Sequence, residues 1–450
     1  MTTSVTPPMR VHGWNVHLVA GDDDFHFAGL YQVPGSNLIT FRDVIDEMRL
    51  CFDIPGEEDP WENMAFMLVD SPDDSKRKLP SLVADEDLAL PVPALQSSSP
   101  KAQRIVTYHV ILHKPCEISY DKPLQDHIKD KCARHIDRPT RRMDNRYIPL
   151  DKPSLDPRYS KMPFRRTTNT RRASQSPKRR RSGSFSSTTD GEQEDIKNLQ
   201  VPPKMDLSPE EARETTETFR HDCLIHADRC AISGKGQSWC IIPSTGPGLH
   251  ACHIVPQHHF YVYPRHDQKH ATETEVKIQN ERLIQAWKDT WSGKNGILLM
   301  NDIRQLFEAR LISIHPDTYK IRAFVPYDVI TDFHGKKANV ARKVDKLALR
   351  HHYEMSCIEN MAAQMPAALH DSASGSTVRF LEIRSPLGRT ISLPINTTAN
   401  RQAGDPAKRV KLEETAETST PEESIREEST QEEDIQRALS VEYDLIEGSD

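Results

Sequence analysis

The sequence predicts an α+β protein in which folded segments alternate with disordered ones. Three observations lead there. Apolar residues recur at period two in some stretches and at 3–4 spacing in others, so strands and helices are both expected. Only 36% of the 450 residues are hydrophobic and the mean hydropathy is −0.65, too polar for one compact body of this length. The net charge of −7 averages over opposites: residues 158–189 hold ten Lys and Arg and no Asp or Glu, and residues 413–450 hold fourteen Asp and Glu against two Arg. Such segregation points to separate tails with separate partners.

The first folded segment is a small α+β domain over 10–140. Trp14, Val16 and Leu18 alternate with polar neighbours, as a half-buried strand requires, and Phe25 and Phe27 continue the pattern. Thr40 opens a helix with Phe41, Val44, Ile45, Met48 and Phe52 at helical spacing, and Pro55 ends it. Met64–Val69 and Ile105–Leu112 read as further strands, with a Ser-, Pro- and Asp-rich loop over 70–103 between them. Residues 150–205 combine Ser, Thr, Pro and Arg with almost no large apolar side chains, which predicts a disordered basic linker.

The second folded segment spans 206–365. It has Trp239, Trp287, Trp291 and Phe307 for its core and a last helix through Val340, Val344, Leu347, His351, Met355, Ile358 and Met361. Within 376–396, Val378–Glu382 and Thr390–Leu393 flank Pro386-Leu387-Gly388, as in a β-hairpin. From 398 to 450 the composition is that of a disordered acidic tail.

Neither a secretory signal nor a run of apolar residues long enough to cross a membrane is visible, so an intracellular protein without membrane attachment is expected. The eight cysteines, at 51, 116, 132, 223, 230, 240, 252 and 357, contain no Cys-x-x-Cys pair. That argues against a zinc knuckle and for free, buried thiols.

The chemistry concentrates in Ala251-Cys252-His253-Ile254-Val255-Pro256 and, forty-two residues after His253, in Asn295-Gly296-Ile297-Leu298-Leu299. A histidine at the end of a strand, neutral near pH 7, is suited to take a proton from a water attacking a phosphodiester. An asparagine before a helix is suited to orient that histidine or to ligate a hard cation through its carbonyl. A buried turn at Cys252-His253 explains the same residues without chemistry.

The ordered run from Cys230-Ala231-Ile232-Ser233-Gly234 through these two motifs to Leu306-Phe307-Glu308-Ala309-Arg310-Leu311-Ile312-Ser313-Ile314 is similar to the HNH nuclease domain of a large group of fungal proteins. It covers roughly residues 223–325. Leu349-Arg350-His351-His352-Tyr353 resembles that group's C-terminal helix, and Gly29-Leu30-Tyr31, more weakly, its N-terminal region. The resemblance implies a ββα-metal module, with His253 as general base and Asn295 as the middle asparagine. It implies a divalent cation, Mg²⁺ or Zn²⁺, to neutralise phosphoryl charge. Cys252 falls where many such nucleases supply a ligand, and Asp302 is retained.

One position departs from the pattern. Arg304 stands at the third position of the motif, where the helix of these nucleases usually carries a histidine, and Glu308 replaces a terminal aspartate. Arginine offers no lone pair to a metal. It can grip a phosphate bidentately or pair with Glu308 at i,i+4. Cys230 and Cys240 read either as structural thiols or as partners of Cys252 in a zinc site. His258, His259, His266 and His270 fall in a polar loop, mostly solvated, with one of them free to replace the missing ligand.

Two basic runs beside prolines, Lys178-Arg179-Arg180-Arg181 and Lys408-Arg409-Val410-Lys411, have the form of nuclear-import signals; the alternative is a solvated charge run. The expected protein is nuclear. It meets nucleic acid, DNA rather than RNA, and the import machinery. It is either an HNH nuclease or an inactive HNH-fold binding protein that has lost a metal ligand at Arg304.

Overall fold

A computed structural model describes residues 5–56, 59–70, 81–94, 105–149, 165–166, 200–202, 205–240, 245–264, 276–364, 379–384 and 390–395. The chain divides into two units, 1–396 and 397–450. The second lies outside the described residues, as do both basic runs.

The N-terminal half is a sheet covered by helix. After α1 (Pro7–Val11), β1 (Val16–Ala20) and β2 (Phe25–Leu30) form an antiparallel pair. In α2 (Phe41–Cys51), the Thr40 hydroxyl accepts from Asp43 N at 3.2 Å and the Asp43 carboxylate accepts from Thr40 N at 2.7 Å. These two bonds satisfy backbone donors that the first helical turn leaves open. The helix ends before Phe52, earlier than the sequence predicts. Phe52 turns into an extended pair with Arg141 and sets its ring edge-on to Phe27, centroids 5.1 Å apart.

Three further strands follow: β3 (Met64–Asp70), β4 (Leu82–Val83), inside the segment expected to be loop, and β5 (Val106–His113). A short α3 (Leu124–Lys129) leads to β6 (Ala133–His135). The sheet order is β2-β1-β5-β3-β4, with β6 paired to β5; only β1 and β5 run parallel. Period-two alternation separates two faces. Phe66, Val110 and Leu112 enter the main core with α2, and Ala65, Met67 and Ile111 enter a small second one.

The C-terminal half contains α4 (Pro209–His226), β7 (Leu249–His253), α5 (Val276–Thr290), β8 (Gly296–Met300) and α6 (Asn301–Glu308). The pair β9 (Ile312–Ile314) and β10 (Ile321–Ala323) precedes α7 (Lys346–Met361). Val340 and Val344 lie ahead of this last helix, not in it. Asp345 accepts from Leu347 N at 2.9 Å and starts the helix there. Trp239 is 83% exposed and belongs to no core, whereas Trp287 and Phe307 are buried. Val201, inside the predicted linker, is buried with Ile148, Phe260 and Trp287, and 200–201 pairs with 165–166. The rest of 150–205 lies almost wholly outside the described residues. Strands β11 (Arg379–Arg384) and β12 (Thr390–Ile395) pair antiparallel.

The segments that the sequence separates as 10–140 and 206–365 share one core. Met355, Ile358 and Met361 of α7 join the sheet and α2. Glu47 of α2 accepts from Arg322 Nη2 of β10 at 2.9 Å, with both side chains buried. Arg10 donates to Asn360 Oδ1 at 2.7 Å and to the carbonyl of Ala309 at 2.8 Å.

Candidate functional site

Strands β7 and β8 pair from Leu249↔Met300 to His253↔Gly296, and α6 begins at the residue after β8. His253 therefore ends one strand directly across from Gly296, next to Asn295, despite forty-two intervening residues. The backbone carbonyl of Asn295 accepts from Ile254 N at 2.8 Å.

Asn295 is fully buried. Its amide oxygen accepts from Val255 N, and its amide nitrogen donates to the carbonyls of Val255 and Thr290, each at 2.9 Å. All three bonds go to backbone. Asn295 thus fixes the turn leaving His253, and its side chain faces inward, away from any surface cation.

The His253 ring is sandwiched. It stacks on Phe219 of α4 at 4.0 Å and 6°, and Trp291 meets it edge-on at 4.7 Å. Its Nε2 is enclosed without a hydrogen-bond partner among the described residues. Burial pulls the imidazole down to about 3, with a smaller push from His258, so the ring is neutral at pH 7. Gly296 makes the sandwich possible: a Cβ there would lie 2.3 Å from Cys223 Sγ and 2.9 Å from Phe219 Cε2.

The remaining candidates lie around α6. Cys252 is buried, and burial pushes its thiol well above the usual range, so the protonated form is held. Its Sγ is 3.9 Å from Glu308 Oε1 and 3.5 Å from the His253 carbonyl. Arg304 Nη1 lies 3.9 Å from the same Glu308 oxygen. Burial raises the Glu308 carboxyl, and Arg304 opposes that rise. Asp302 is exposed on the first turn of α6. Burial lowers the His250 imidazole, and the charges of Arg304 and then Arg220 lower it further. The charges of Arg304 on α6 and Arg220 on α4 thus both reach the hairpin at His250.

A divalent cation does not fit these residues. The Glu308 carboxylate already faces a guanidinium, and no three His, Cys, Asp or Glu ligand atoms converge at the hairpin among the described residues. Nor do Cys230, Cys240 and Cys252 assemble: Cys230 is buried and accepts from Ser233 N at 3.4 Å, and Cys240 is exposed beside Ser238. Of the two described loop histidines, His258 is exposed as expected, whereas His259 is not solvated. Both sit in a 3₁₀ turn over Gln257–Val262 with His259 buried. His266 and His270 lie outside the described residues.

Ligand atoms do converge elsewhere, at His113, Cys116, His127 and Cys132, all within 4.8 Å of one another. The sequence carries the signal as His-x₂-Cys-x₁₀-His-x₄-Cys. A search for paired Cys-x-x-Cys motifs passes over a set that alternates the two ligand types.

Residues 230–315 match the family model of the HNH endonuclease. The match supports an HNH nuclease domain there, containing β7, β8 and α6, and a nuclease-like function related to nucleic acid. No curated protein matches the chain, and no solved structure does. Among the described residues no helix is long and apolar enough to cross a membrane.

Proposed function

We propose that the protein binds nucleic acid through an HNH module of the ββα-metal type in which Arg304 takes over the phosphate contact that a cation makes in related nucleases. The observation that carries this is Arg304 itself. It stands at the motif's third position, where the resemblance places a histidine, half-exposed on α6, and its charge and that of Arg220 both reach His250. A guanidinium offers a phosphate two parallel donors and keeps its charge at any physiological pH. Glu308 at 3.9 Å lies beyond hydrogen-bond distance of the guanidinium and is a weak competitor.

Hydrolysis is poorly supported by the same geometry. His253 is neutral and so able to accept a proton, but a base held down to about 3 drives proton transfer weakly near pH 7. With no cation to acidify the water, the developing phosphoryl charge meets only Arg304. The reading is therefore a binding module with slow or absent cleavage, DNA being the expected substrate. Nuclear residence through Lys178–Arg181 and Lys408–Lys411 belongs to the same proposal.

The test is a pair of measurements on the full chain. Arg304→Ala is expected to weaken binding of a duplex oligonucleotide at low salt about tenfold, the worth of one good charged contact. Plasmid nicking with Mg²⁺, Mn²⁺ or Zn²⁺ is expected to be weak or absent and to rise in Arg304→His. Unchanged binding in Arg304→Ala sinks the phosphate role. Robust nicking by the unmodified protein that is lost in His253→Ala establishes the alternative, a competent nuclease.

A further inference from the structure

The geometry points to a structural zinc site in the N-terminal sheet domain, held by His113, Cys116, His127 and Cys132. It lies outside the region matching the HNH family and is independent of the function proposed above. All four ligand atoms lie within 4.8 Å of one another, and three of the six spacings already match a tetrahedral centre. Cys116 Sγ is 3.4 Å from His113 Nε2 and 3.7 Å from His127 Nδ1, and Cys132 Sγ is 3.4 Å from His127 Nδ1. A tetrahedral Zn²⁺ with Zn–S near 2.3 Å and Zn–N near 2.0–2.1 Å separates its ligands by about 3.3–3.8 Å.

Chain geometry brings the four together. His113 is the last residue of β5, and Lys114 N donates to the Cys132 carbonyl at 2.8 Å, so the last ligand, just ahead of β6, lies beside the first. Between them the chain makes an excursion over 114–132 in which α3 delivers His127. The Cys132 N–H donates to the His127 carbonyl at 3.1 Å, which closes the turn after the helix. Lys131 takes the left-handed conformation, φ 62°, to point the chain back toward β6. A non-glycine residue at that φ is costly and needs a reason to persist.

Apart from the sulfurs, the two rings meet each other edge-on at 5.3 Å and His113 meets Tyr120 edge-on at 5.7 Å. His113 and His127 are buried, and their far nitrogens, Nδ1 and Nε2 respectively, have no partner among the described residues. Their polar company lies on the side facing the sulfurs. Such a cluster costs free energy to bury unless something binds it. Otherwise the excursion is held by the Tyr120 hydroxyl, which donates to Asp85 Oδ2 at 2.9 Å, and by Tyr120, Leu124 and Ile128 packing, partly buried, on a small cluster that includes Ala65, Met67 and Ala133.

Two thiolates and two imidazoles in a closed tetrahedron select Zn²⁺ over Mg²⁺ or Ca²⁺. Binding releases the two thiol protons, so the filled centre carries no net charge. Four protein ligands leave no position for substrate, which makes the ion a staple and not a catalyst. Cys116 is the least buried of the four and marks the side from which the ion enters.

Zinc content of the purified full-length protein tests this. About one zinc per chain is expected, falling below about a tenth in Cys116→Ser/Cys132→Ser and staying at about one in Cys252→Ser. If the double variant does not fold, Co²⁺ substitution of the unmodified protein reads the same site. Thiolate-to-metal charge transfer and intense visible bands of tetrahedral Co²⁺ are expected, and both should be unaffected by Cys252→Ser. A folded, reduced protein that holds no zinc and takes up no tetrahedral Co²⁺ overturns the assignment. So does a Cys116–Cys132 disulfide in peptide mapping, or zinc lost with Cys252→Ser and kept without Cys132.

Discussion

The neighbourhood of Asn295 separates holding a site from doing its chemistry. Its three side-chain hydrogen bonds all close on backbone, so Asn295→Ala leaves one donor and two acceptors buried and unpaired. Each such group costs about 1–3 kcal/mol, with incomplete additivity. The expected loss is about 3–4 kcal/mol, read as a lower urea midpoint at unchanged slope. A loss under about 1 kcal/mol would mean that the turn holds without its clamp. His253 is legible in sequence as a strand-end histidine, whereas Asn295, expected just before a helix, stands before strand β8, with α6 starting only at Asn301. Neither environment is legible. The ring stack comes from Phe219, thirty-four residues before His253, and backbone partners leave no mark in side-chain spacing.

For the elements, the seating of α4 against the hairpin turns on one missing methyl group. Gly296→Ala would drive its Cβ into Cys223 Sγ and Phe219, so α4 must shift at a cost of about 1–3 kcal/mol. Pairing it with Cys223→Ala is expected to recover part of that loss. A double-mutant cycle should give a coupling of about 0.5 kcal/mol or more, and strict additivity would place the strain elsewhere. Elements with their own start signals are legible: Thr40 and Asp43 announce α2 within four residues. The start of α7 is misread because Val340 and Val344 keep a helical spacing while packing from an irregular approach to the helix. Strand β4 is missed because two residues, Leu82 and Val83, carry no period.

Across the whole molecule, buried histidines dominate the pH response. Burial holds His259 at about 2, His17, His253, His351 and His352 at about 3, and His26 and His334 at about 4. In the unfolded chain each titrates near 6.5. Their contribution is therefore complete above about pH 6.5 and is lost as pH falls toward the folded values, by up to about 1.4 kcal/mol per ring per pH unit. Melting temperature should be flat between about pH 7 and 8 and drop steeply from about 6.5 to 5. A flat profile down to pH 5 would show that the rings are solvated. The union of the two halves is the least legible feature of the fold. The contacts of Arg322 with Glu47 and of Arg10 with Asn360 join residues 275 and 350 positions apart, and no local pattern encodes such pairs.

The bond from Arg10 to Asn360 also sets a clock. A ribosome adding about 5–20 residues per second delivers the partner on the order of 20–70 s after Arg10. Until then β1, β2 and α2 exist without Met355, Ile358 and Met361, so the nascent chain carries an open apolar face through most of its synthesis. A message truncated before codon 355 leaves that face permanently open, a product fit for chaperones and proteases and not for assembly.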